Sequence, residues 1–164
     1  MKKINNIGIL GQEFLLWLYW KSCEDGFFSL DHLGLGDIGI SIEETISLVS
    51  ITGDGYGETI KSQDLSEIES VRESMKIGRL PESAKVKIVS NELEWFFQVK
   101  TNPLKISSVK LPITGENEND RVISMRLDAI ARLDLIMRGL FNTFMLEREN
   151  RNYIKNLKDF LVIQ

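Results

Sequence analysis

The residues able to do chemistry in this chain are few and scattered. His32 is the only histidine and Cys23 the only cysteine, nine positions apart. Ser-His-Asp or Cys-His catalysis would depend on that one imidazole, and no motif around either residue supplies an orienting group. No CxxC, HxxxH or EF-hand spacing occurs, so neither a metal site nor a cofactor is expected. Glu43-Glu44 and the pair Glu92 and Glu94 fall at turns and strand faces, where nothing predicts the desolvation that acid catalysis needs. Gly34-Leu35-Gly36-Asp37-Ile38-Gly39 matches the glycine pattern of a dinucleotide loop. That loop needs a helix opening behind it, and Ile40 to Ser50 reads as strand instead. A non-enzymatic protein is the expectation.

Cations make a better constellation. Lys61 precedes a helix, Lys76 and Arg79 lie at its end, and Lys85 and Lys87 alternate along a strand, which points them to one face. Such a set can line a groove against phosphates, or can be a solvated face with cations capping a helix C-terminus. The balance of 24 acidic against 20 basic residues, a net charge of −4, gives no general attraction to nucleic acid, so DNA contact requires a local basic surface. Arg126, Arg132 and Arg138 recur every six residues, which scatters them around a helix.

The elements that position these groups follow from hydrophobic periodicity. Gln12 to Ser22 (QEFLLWLYWKS) is apolar on too many sides for a surface helix and reads as a deeply packed one. From Gly26 to Ile60, apolar residues with a period near two, separated by Gly and Asp, predict several short antiparallel strands, with a turn at Gly53–Gly57. A second helix is expected from capping residues near Asp64 to a stop at Gly78, with Leu65, Ile68, Val71 and Met75 as its stripe. Ala84–Ser90 and Leu93–Lys100 alternate around Ser90-Asn91-Glu92 as a hairpin, and Lys105–Leu111, bracketed by Pro103 and Pro112, suits a sheet edge. Asp120 can cap a long helix after the polar loop Thr114–Asn119.

That long helix carries two adjacent apolar strips. Val122, Met125, Ala129, Leu133, Ile136 and Leu140 form one, and Ile123, Leu127, Ile130, Met137, Phe141 and Phe144 the other. The combined face is wider than one neighbour in a small fold needs, which makes Met137, Phe141 and Phe144 an expected interface with another chain. The aromatics Trp17, Tyr19, Trp20, Trp95, Phe96 and Phe97 crowd into apolar runs, as core or interface residues do. The order of elements predicts an α+β fold: antiparallel sheets packed with a buried N-terminal helix, a middle helix and a long C-terminal helix. A domain over residues 1–146 and a helical tail over 147–164, packed on the domain or on a partner, are expected.

At 164 residues the chain is long enough to bury a core without staples, and its lone cysteine fits a reducing cytoplasm. Its most apolar run, Phe14–Trp20, is far shorter than the ~20 residues of a membrane span, so no membrane association is expected.

Several short motifs, in order, resemble the C-terminal half of the RdgC family of recombination-associated DNA-binding proteins. They are Ile9–Ser22 with the following Gly26-Phe27, Ile60-Lys-Ser-Gln-Asp-Leu65, Gly78-Arg79 with its basic strand, Leu93-Glu-Trp95, Leu104-Lys-Ile106, Val109-Lys-Leu111 and the closing helix, over roughly residues 9–146. The resemblance implies sequence-independent binding of double-stranded DNA and a modulating role in recombination, with a nucleoid-associated location. It assigns Lys61 and Gln63 to the DNA-facing segment, although Ser62 stands where the family has a second basic residue, and matches Arg79 and Lys85 more loosely. The family's N-terminal half is absent from this sequence, so the expected assembly is a homo-oligomer or a complex with a polypeptide supplying that half. A protein-binding regulator that keeps the fold without binding DNA is the alternative.

Overall fold

A computed structural model describes residues 7–50, 57–62, 69–113 and 119–162, with side-chain burial from Leu10 onward. The elements run α1 (Ile7–Glu24), β1 (Phe27–Ser29), a 3-10 turn (Asp31–Leu33), β2 (Asp37–Ser50), β3 (Gly57–Lys61), α2 (Glu69–Lys76), β4 (Arg79–Ser90), β5 (Leu93–Thr101), β6 (Leu104–Lys110), α3 (Asp120–Arg148) and α4 (Tyr153–Val162). The α+β class, with a buried first helix and a long late one, is as the periodicity predicts.

All strand pairs are antiparallel, in the order β1-β2-β4-β5-β6, and β3 shares with β1 the edge of β2 opposite β4. The expected string of short strands is largely one strand. Ile38, Ile40, Ile42, Ile46 and Leu48 all lie buried along the 14-residue β2. Its apolar rhythm is interrupted because Glu44, at a φ of 56°, opens a bulge between Glu43 and Ile46 that bends the strand without ending it. The Gly53–Gly57 turn before Gly57 and the expected helix start from Asp64 to Ile68 lie outside the described residues.

Helix α1 is the centre of the molecule. Every residue from Phe14 to Trp20 is buried, which only a helix covered on all sides can achieve. One side lies across β2, β4 and β5. Gly11 permits that approach, since a β-carbon there would sit 2.4 Å from the Thr101 carbonyl oxygen. On its other side, Phe14 and Trp17 meet Phe141 and Phe144 of α3, while Tyr19 and Trp20 meet Phe160 of α4. The layers are therefore sheet, α1, and an outer layer of α3 and α4, with α2 beside α4. Helix α3 begins one residue earlier than expected: Asn119, not Asp120, is the N-cap, its side-chain oxygen accepting the Val122 N–H at 2.9 Å.

Candidate functional site

Among the described residues the helices lie on one side of the sheet and leave its other face open, and the strand registers place that face's side chains in rows. Thr59, Ser47, Ser83, Lys100 and Lys105 form one row, and Glu43, Lys85, Gln98 and Ser107 the next. Ser41, Lys87, Phe96 and Lys110 form a third, with Thr45 and Lys61 beside the β2 bulge. Trp95, Phe97 and Val99 point the opposite way into the core, so Lys100 and Phe96 must point outward.

Two bulges shape this face. One is at Glu44, and the other inserts an extra residue into β6 near Ser108, whose φ is 54°. Between them lies a concavity of about 300 Å³ lined by Thr45, Ser47, Ser83, Lys85, Gln98 and Lys110, among others. Its chemistry is cationic and rich in hydroxyls, with Phe96 as an apolar wall.

Glu43 shares a row with Lys85, and Glu44 and Glu94 also reach these lysines. Lys85 pairs with Glu44 at 2.5 Å and Lys87 with Glu94 at 2.9 Å, while Lys87 also lies 5.4 Å from the centre of the Phe96 ring. The Lys85 ammonium holds the Glu44 carboxyl below the usual range, and the more distant Lys110 adds to the effect. These pairs are exposed to water and hold weakly, so they can exchange for a phosphate. Lys100 and Lys105 make no ion pair among the described residues.

The six expected nucleic-acid residues do not form one set. Lys61, Lys85 and Lys87 share the open face. Arg79 lies on the helical side, bonded to Glu58, which also accepts from Ser74 of α2. Lys76 pairs with Glu73 a turn back on α2, and Gln63 lies outside the described residues. Lys100, Lys105 and Lys110 were passed over in the sequence, although their positions in β5 and β6 are the outward complement of the inward Trp95, Phe97, Val99 and Ile106.

Of the expected interface, Phe144 is fully buried between Phe14, Trp17 and Tyr153 and so belongs to the chain's own core. Met137 and Phe141 are half-buried and line a groove against β6. Ile123, Leu127 and Ile130 of the second strip are exposed, and so is Met125 of the first. Cys23 lies against Tyr19, Ser22 and Arg72, and burial pushes its thiol up, away from the reactive thiolate. The residues after Gly34–Gly39 form β2, so no helix N-terminus faces that glycine turn. No helix of the described residues is long and apolar enough to cross a membrane.

No protein-family model, no curated protein and no solved structure matches the chain.

Proposed function

We propose that this chain is a non-enzymatic, sequence-independent binder of duplex DNA whose contact surface is the open face of its sheet. The observation that carries this reading is the gathering of Lys61, Lys85, Lys87, Lys100, Lys105 and Lys110 on that one uncovered face of a chain whose net charge is −4. Lysine ammonium groups with nearby serine, threonine and glutamine side chains suit phosphate oxygens, which position a protein on DNA and carry no sequence information. Reading bases would require a helix or two-stranded ribbon inserted into the major groove, and a broad sheet face does not enter it. The resemblance to the RdgC family points in the same direction, toward a modulating role in recombination, with the cytoplasm and nucleoid as the setting. A polypeptide supplying that family's N-terminal half would complete the assembly.

The second reading, a protein-binding regulator without DNA contact, draws on the exposed Ile123, Leu127 and Ile130 of α3. An anisotropy titration of a labelled mixed-sequence duplex at ~50 and ~200 mM salt separates the two. Phosphate contact loses affinity steeply over that interval, on the order of a hundredfold for about four contacts. Absence of binding at the lower salt concentration leaves the regulator.

A further inference from the structure

The sheet ends at β6, which pairs with β5 and, among the described residues, with no strand on its other edge. The outward backbone N–H and C=O groups of such an edge are a template for one more strand. The bulge at Ser108 interrupts the template, so its regular stretch is Leu104–Ser107.

Alternation along β6 gives this edge two different sides. Leu104 and Ile106 pair with the inward Thr101 and Val99 and so lie on the helical side, where Leu104 is 41% exposed and Ile106 half-buried. Next to them a groove of about 530 Å³ separates β6 from α3, lined by Phe14, Val99, Met137 and Phe141 among others. Lys105, Ser107 and Lys110 lie on the open side, where they end the rows that cross the sheet. Neither Lys105 nor Lys110 makes an ion pair among the described residues. A strand bonded to β6 would lie about 4.8 Å beyond it. Its inward side chains would then enter the groove beside Leu104 and Ile106, and the alternate ones would stand next to Lys105 and Lys110.

We infer that the free edge of β6 takes a strand from a partner protein, an extended segment in which apolar residues alternate with Asp or Glu. Main-chain hydrogen bonds would hold it, while the groove and the lysines would select its two sets of side chains. The same lysines disfavour a second copy in this place. β6 holds no carboxylate, and two such strands side by side would bring their lysines together on one face. The inference shares Lys105 and Lys110 with the lysine face but does not depend on DNA binding.

The test uses a fluorescein-labelled peptide of ~8 residues that alternates valine and glutamate, and a twin with lysine in place of glutamate. Saturable anisotropy is expected for the acidic peptide, with the twin at least ~10-fold weaker. Lys105→Glu should reverse that preference, and Leu104→Glu should weaken the acidic peptide, with circular dichroism showing both variants folded. Lys76→Glu, the same change of charge on α2, should leave binding unaltered. Two further acidic peptides carry N-methyl groups, one on its valines and the other on its glutamates. Alternate N–H groups of a strand point to opposite edges, so only one of these two should lose binding. Equal behaviour of the N-methylated pair, equal binding of the acidic and basic peptides, or binding of neither overturns the proposal. So does a dimer in light scattering that Leu104→Glu converts to monomer, which would make a second copy the occupant.

Discussion

Arg79 and Lys85 lie six residues apart on β4 yet serve opposite faces of the sheet: Arg79 is held by Glu58 on the helical side, and Lys85 by Glu44 on the open side. The bulge between Ser83 and Pro81 in β4 lies between them. One basic strand therefore contributes to two environments, and only one of them can meet a ligand as broad as DNA. Replacing Lys100, Lys105 and Lys110 together by glutamate should abolish duplex binding at ~50 mM salt. Replacing the three by glutamine instead should reduce the slope of log K against log salt by about 3. Lys76→Glu, on α2, should leave both unchanged. Equal loss in the Lys76 variant would mean that net charge, not this face, governs the affinity.

Thr101 fixes the distance between sheet and central helix. Its hydroxyl donates to the Pro81 and Glu82 carbonyls, and its own carbonyl lies where a Gly11 β-carbon would project, 2.4 Å away. Alanine in an unconstrained helix would gain about 1 kcal/mol over glycine. Here the obstacle is strand backbone and cannot swing aside, so Gly11→Ala should lose roughly 1–3 kcal/mol in urea unfolding. A gain in stability would show that α1 does not approach β5 as described.

Much of this architecture was legible because burial leaves a periodic trace. Trp95, Phe97 and Val99 alternate strictly, and Phe14–Trp20 is apolar on every side, so the hairpin and the buried helix follow directly from the residues. The lysine face was harder to read. Its members come from four strands, β3 to β6, and only the registers bring Lys87, Phe96 and Lys110 into one row. Arg79 was misplaced for a related reason: its partner Glu58 is 21 positions away, and no local pattern encodes that ion pair. On α3 the periodicity shows a wide apolar face but not which part is covered: the fold takes Phe144, expected at an interface, into the core and leaves Ile123 and Leu127 outside.

The hairpin between β4 and β5 turns on two residues, Asn91 and Glu92, with φ values of 50° and 65°. Positive φ at both positions is the geometry that matches strand twist, and it favours Asn followed by Gly. A glutamate there bears the left-handed penalty of ~1–2 kcal/mol, partly offset by the chain entropy that glycine would lose. Glu92→Gly should therefore stabilise the protein by roughly 0.5–1 kcal/mol, read as a higher midpoint in urea with an unchanged slope. A lower midpoint would mean that Glu92 makes a contact worth more than its strain.

Tyr153 closes the outer layer between Trp20 and Phe144 and is only 5% exposed, while its buried hydroxyl has no hydrogen-bond partner among the described residues. Burial, with Glu13 and Glu147 nearby, pushes the phenol from 10.0 up to about 12, and burial raises Tyr19 in the same direction. Above pH 10 the unfolded chain releases these protons while the native state keeps them. The unfolded state then binds fewer protons, so stability is full below that pH and falls as pH rises toward 12. Tyr153→Phe removes a polar atom that pays desolvation without a bond in return. It should hold or raise stability at neutral pH, by up to roughly 1 kcal/mol. It should also flatten part of the alkaline decline and leave the portion due to Tyr19. Urea titrations of both proteins at neutral pH and across the alkaline range check each half of the statement. A variant that is less stable at neutral pH, with an unaltered alkaline slope, would mean that the hydroxyl is bonded and titrates as a free phenol does.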